Sequence, residues 1–280
     1  MKIGGRRKSD YVVDQRGSST PMRRAGMMPK LGLGWMILLG VIIYALGGDP
    51  RIILSMLQSQ SQAGQVIAPR SNAPRSSADS ESSKELVSVT LADLEHKWSA
   101  IFRERGATYQ PTPLVLFREV INTGCGYGQA ASGPFYCPAD RKVYLDLSFI
   151  DDLNKLGGEG DFAIAYVVAH EVGHHVQTLI NPARMRGQKS QAESIATELQ
   201  ADCFAGLWAH HANKERDFLE PGDIEEAITT AAAVGDDHIQ RTSGRAVSPE
   251  SFTHGSSRQR QEAFMVGFRS GNLDSCSFAR

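Results

Sequence analysis

The segment "DFAIAYVVAHEVGHH", Asp161 to His175, constrains this chain more than any other stretch. Phe162 to Ala169 is apolar around the whole circumference of a helix, so a helix here has to lie inside a core. The same helix then runs on into His170, Glu171, His174 and His175. Burying neutral histidines beside a glutamate is costly unless something binds them. The surrounding fold must therefore supply partners for this helix.

Helical geometry sorts the four groups. Residues four apart are separated by about 40° around the axis, so His170 and His174 project from one face and can chelate a single metal ion. Glu171 lies about 60° from His174, poorly placed as a third ligand but able to reach a water on the metal. In an H-E-x-x-H helix that glutamate is the general base. His175 falls about 140° from His170 and reads as a neighbour of the site, not a ligand. Gly173 costs about 1 kcal/mol in a helix interior and is expected to leave room beside the metal face. The pattern also arises by chance in unrelated chains, so a third ligand is required downstream. Hydrolytic zinc keeps three protein ligands and one open position.

The stretch "SIATELQADCFAGLWA" supplies candidates. With Ile195 at 0°, Leu199 at about 40° and Gly206 at about 20° define an apolar stripe, and Asp202 (about −20°) and Glu198 (about −60°) fall in or beside it. Two carboxylates in a buried stripe should be paired or bound to a cation. Being four apart, they share a face. One can ligate a metal while the other accepts the remaining N–H of a ligand histidine. Farther on, "SFTHGSSRQR" places His254 ahead of, and Arg260 inside, an amphipathic helix with Phe264 and Phe268 inward. A histidine or arginine near a polarised carbonyl can stabilise an oxyanion. On the residues alone, a surface histidine and a solvated arginine are the default.

The formal net charge of −1 argues against a general nucleic-acid binder. It hides eight Lys/Arg between Met1 and Lys30, opposed only by Asp10 and Asp14. "LGLGWMILLGVIIYALGG", Leu31 to Gly48, carries no charge and is just under the ~20 residues that span a bilayer core. The long basic lead and the lack of a small-x-small site favour an uncleaved transmembrane signal anchor over a cleaved signal peptide. A core helix of a cytoplasmic protein is the alternative. The positive-inside rule then keeps residues 1–30 cytoplasmic, in a single-pass inner-membrane protein whose remaining bulk is periplasmic or extracellular. Residues 58–84 are rich in Ser, Gln, Ala and Pro without aromatics and read as a disordered tether. Residues 85–280 are then one domain, large enough for a sizeable core.

Within that domain, helices are expected over Ser88–Gly106 (with Thr90 as N-cap), Asp161–Leu179, Gln188–Ala212, Gly222–Val234 and Ser257–Ser270, and strands over Pro113–Val120 and Lys142–Ile150. The fold class is α+β, helix-rich with a small sheet. Of the four cysteines, Cys125 and Cys137 close a Gly-rich loop and are the favoured pair outside the cytoplasm, which leaves Cys203 and Cys276.

"AHEVGHH", "ELQADCFAG" and "FTHGSSRQR", with "GGRRKSD", "CGYGQAASGPFYCPAD" and "VYLDLSF", resemble the bacterial neutral zinc metallopeptidase family of membrane-anchored proteins. That family is similar to the gluzincins, whose third ligand is the glutamate of an E-x-x-x-D helix. The resemblance implies a zincin-like domain with one Zn2+ on His170, His174 and Glu198, Glu171 as base, and Asp202 and Arg260 in supporting positions. The His-x5-Arg spacing is also similar to that of a group of membrane-associated zinc peptidases whose histidine stabilises the transition state. It implies that role for His254, although Gly255 stands where that group commonly has proline. The activity so implied is a zinc-dependent endopeptidase of the cell envelope acting on a protein or peptide. The alternative is an envelope-tethered binding module with a structural zinc and no turnover.

Overall fold

The computed structural model describes residues 1–17, 77–129, 133–183, 185, 187 and 189–278. In chain order they form β1 (Val12–Asp14), α1 (Ser77–Glu104), β2 (Leu114–Phe117), β3 (Val120–Thr123), β4 (Gly126–Gln129), β5 (Phe135–Cys137), β6 (Lys142–Asp146), α2 (Phe149–Lys155), α3 (Asp161–Ile180), α4 (Gln191–Arg216), α5 (Asp223–Ala233), α6 (Asp236–Thr242) and α7 (Ser257–Ser270). The sheet order is β1-β2-β6-β5, and β3-β4 is a separate hairpin. The pairs β1–β2 and β2–β6 are parallel, and β5–β6 is antiparallel.

The α+β class holds, with local corrections. The stretch expected as one strand over Lys142–Ile150 ends at Asp146. There the carboxylate accepts the Ser148 N–H at 2.9 Å and the Glu119 N–H at 2.7 Å, turning the chain into α2. Val143 to Asp146 are all buried, because a parallel strand inside a sheet is covered on both faces. The other strand shortens to β2, and the Gly-rich loop holds β3, β4 and β5. Helix α1 starts at Ser77, inside the stretch read as tether, and Thr90 lies buried in its interior instead of capping it. The cysteines pair as Cys125–Cys137 and Cys203–Cys276.

Helix α3 is the buried axis, contacted by α1, α4, α5 and the sheet. Its apolar half, Phe162 to Ala169, is buried throughout. Helices α4 and α7 cross backbone to backbone. A Cβ on Gly206 would lie 1.9 Å from the Phe264 carbonyl oxygen, and one on Gly267 would lie 1.9 Å from that of Cys203. Only glycine permits this approach, and it sets how deeply α7 reaches toward α3.

The largest departure from expectation concerns the first 17 residues. They are part of the domain, not a separate basic segment. Val12, Val13 and Asp14 pair with Leu114, Val115 and Leu116. All five Lys/Arg described here have partners beyond residue 80. Lys2 meets Asp217 at 2.7 Å, Arg7 meets Glu95 at 2.6 Å, Lys8 meets Glu85 at 2.7 Å and Arg16 meets Glu81 at 2.7 Å. Arg6 lies 4.5 Å from the Phe218 ring centroid. Exposed pairs contribute about 0–1 kcal/mol each, but Glu95 is buried and also accepts the Ser9 hydroxyl. A run of basic residues has the same composition whether it faces lipid headgroups or a folded domain's carboxylates, which is why the sequence misled.

Residues 1–17 and 77–278 belong to one compact unit, and this arrangement predicts that they share one compartment. The candidate span Leu31–Gly48 lies outside the described residues, and among those no helix is long and apolar enough to cross a membrane. Exposed cysteines introduced as Asp10→Cys and Arg258→Cys test this arrangement. In spheroplasts both should react with a membrane-impermeant maleimide to the same extent before lysis. Labelling of one only after lysis and of the other before it would contradict the shared compartment.

Candidate metal centre

Helices α3 and α4 approach closely where Gly173 faces Ala201, since a Cβ on Gly173 would lie 3.1 Å from the Ala201 Cα and carbonyl oxygen. Gly173 therefore serves helix contact, not clearance beside a metal as expected from the sequence. The close approach brings Glu198 to both histidines. Its Oε2 lies 3.1 Å from His170 Nε2 and 3.5 Å from His174 Nε2. The donor atoms of all three residues fall within 4.8 Å of one another.

These distances suit zinc. Bonds of about 2.0–2.1 Å in a tetrahedron set neighbouring donors about 3.3 Å apart, between the two values above. The protonation pattern agrees. Burial pushes both imidazoles toward neutrality, but Asp202 and Glu198 outweigh it, lifting His170 to about 10, and Glu198 also raises His174. Burial would raise Glu198 too, yet the two imidazoles hold its carboxyl well below the ordinary range. Protons here stand where a divalent cation would be held.

Behind His170, Asp202 is completely buried. It accepts from His170 Nδ1 at 2.8 Å, the Tyr166 hydroxyl at 2.5 Å, and Arg260 Nε and Nη2 at 2.8 Å each. Burial would raise its pKa, but Arg260 and His170 hold it at about 2. With Nδ1–H given to a carboxylate, His170 turns its Nε2 lone pair toward the ligand position. Arg260 is buried in this network and does not extend into solvent. His174 has a neutral partner, Gln177, whose Oε1 lies 2.9 Å from Nδ1. Glu171 is buried and makes no hydrogen bond or ion pair with any described residue.

His254 stands apart from this cluster. Its side chain is half exposed, and Nδ1 lies 3.1 Å from Asp236 Oδ1. The other oxygen of Asp236 accepts the N–H groups of Thr253, His254 and Gly255 at 2.7, 2.7 and 3.1 Å. No hydrogen bond joins His254 to His170, His174 or Glu198. The loop nevertheless rests on the helical turn that carries Glu198, because a Cβ on Gly255 would meet Ile195 at 3.4 Å and Leu199 at 3.5 Å. Gly255 has φ +96°, which proline cannot adopt, so glycine is what this loop requires.

Sequence reasoning missed Tyr166, Gln177 and Asp236. Tyr166 is hidden in the apolar run, four residues before His170 on the same face, and that spacing was the available signal. A second carboxylate group, Asp161, Asp223 and Glu226, could also hold a cation. It already faces one, because the Met1 amine lies 2.8 Å from Asp161 and 3.5 Å from Asp223.

His175 is tied elsewhere. Nε2–H donates to the Gln110 carbonyl at 2.7 Å, and Nδ1 accepts from the Tyr136 hydroxyl at 3.2 Å. Burial depresses its pKa to about 4. A depressed histidine adds stability above its unfolded pKa, and that stability is lost as pH falls through the window from 6.5 to about 4. The contribution is about 3 kcal/mol. His175→Gln should flatten denaturant stability across that window, and an unchanged pH slope would contradict the buried neutral imidazole.

The class defined by this arrangement is an α+β domain in which two histidines of one helix and a glutamate of its neighbour form a group that could hold a metal ion. The chain belongs to the family described as "Putative neutral zinc metallopeptidase", whose model matches residues 1–278. It is 46% identical to the uncharacterized protein YpfJ of Escherichia coli K12, over 99% of this chain and 98% of that protein. It is 36% identical to the uncharacterized protein Mb2605 of Mycobacterium bovis, over 82% of this chain and 83% of that protein. No solved structure matches it.

Proposed function

We propose that the protein is a zinc-dependent endopeptidase of the cell envelope, acting on a protein or peptide. The observation that carries this reading is the single carboxylate oxygen of Glu198 within 3.5 Å of both histidine Nε2 atoms. A zinc ion held there would polarise the scissile carbonyl and acidify a water. Glu171 takes the proton from that water and returns it to the departing amine. Glu171 has no hydrogen-bond or ion-pair partner among the described residues, which leaves its carboxylate available to that water. His254 in its doubly protonated form, with Nδ1–H held by Asp236, would donate Nε2–H to the oxyanion. Among the described residues three donors converge, not the four of a closed structural site, which favours turnover over a purely structural zinc.

The two disulfides support an oxidising compartment, periplasmic or extracellular. Membrane attachment through Leu31–Gly48 is part of the proposal.

Glu171→Gln should retain one zinc per chain and lower cleavage of a peptide library about 10²–10⁴-fold. His254→Ala should lower kcat about 10²–10³-fold with little change in KM. Cleavage by Glu171→Gln at the wild-type rate would remove the base from the mechanism.

A further inference from the structure

The two histidines are supported differently. His170 leans on a buried ionic network, whereas His174 leans on a line of amides that leads away from the site. His174 Nδ1 lies 2.9 Å from Gln177 Oε1. Gln177 Nε2 donates to the Thr197 carbonyl at 2.7 Å and to Gln200 Oε1 at 3.1 Å. Gln200 Nε2 donates to the Cys276 carbonyl at 2.8 Å. Cys276 is in turn bonded to Cys203, one turn along α4 from Gln200.

Each link fixes the next. Both acceptors at the far end of Gln177 need its NH2, so its oxygen must face His174. The imidazole proton then lies on Nδ1, and Nε2 is left with the lone pair that faces Glu198. Gln200 can present its oxygen to Gln177 only while its own NH2 is satisfied at Cys276. The carbonyl of Cys276 stays in place because the disulfide ties the carboxyl-terminal tail to α4. Gln177 and Gln200 also border a cavity of about 130 Å³ with Thr197, Ile180, Asn181 and Met185. Water can enter there and compete for the amides if the tail lets go.

We infer that Gln177 and Gln200 are positioning residues for His174, and that the Cys203–Cys276 disulfide anchors the line they form. The carboxyl-terminal tail thereby sets the orientation of a metal ligand it never touches. The inference rests on the reading of His174 as a zinc ligand.

The test is zinc affinity of the full chain, measured by competition with a fluorescent chelator, with the visible spectrum of the Co2+-loaded protein as a second readout. Gln177→Leu should weaken zinc binding about 10–100-fold. Gln200→Leu and the pair Cys203→Ala with Cys276→Ala should each weaken it about tenfold and shift the Co2+ bands in the same way. If the residues form one line, the Gln177→Leu and Gln200→Leu double variant binds no more weakly than Gln177→Leu alone. Gln200→Met keeps the side-chain length should the leucine variant not fold. It offers no amide to Gln177 or to Cys276, and should show the same loss. Wild-type affinity and an unshifted Co2+ spectrum in the Gln200 and disulfide variants would overturn the inference alone. Failure of the wild-type protein to bind zinc would overturn the metal reading instead.

Discussion

The structure around the metal centre depends on one buried charge. Asp202 has no access to water, and its two oxygens collect Arg260 from α7, Tyr166 and His170 from α3, and nothing from solvent. A carboxylate in that position would be untenable without a cation, and removing one partner of such a network typically costs about 3–5 kcal/mol. Three helices that are distant in sequence are therefore fixed by a single residue. The same bond that satisfies Asp202 selects the His170 tautomer, so stabilising the fold and preparing the ligand are one interaction.

Glycine makes that arrangement reachable. Arg260 extends to Asp202 because α7 lies against the backbone of α4 at Gly206 and Gly267, and α4 meets α3 at Gly173. The site thus lies where three helices touch with almost no side chain between them. That economy of space explains how Glu198, on a different helix, comes within 3.1 Å of His170. It also explains why Arg260 is consumed internally, bonded to Asp202 and withdrawn from solvent.

The central features were legible because they violate ordinary patterning. Histidines at the end of an all-apolar helix, and Glu198 and Asp202 within an apolar stripe, stand out against any expectation of a solvated face. Features that obey ordinary patterning were not legible. Tyr166 looks like one more core residue, and Gln177 like one more polar residue near a helix end. The strand Val12–Asp14 is three residues long and pairs with residues about a hundred positions away. No local period can reveal such a partner, and the basic residues around it suggested a membrane flank. Thr90, spaced correctly for a helix start, was overridden because α1 continues back to Ser77.

The account stands on the coordination sphere itself, and zinc K-edge absorption on the purified, zinc-loaded protein examines it directly. The expected first shell is four nitrogen or oxygen neighbours at about 2.0–2.1 Å with the outer-shell signature of two imidazoles, and no sulfur at about 2.3 Å. A shell containing sulfur, or one with the signature of a single imidazole, would contradict a site built from His170, His174 and Glu198.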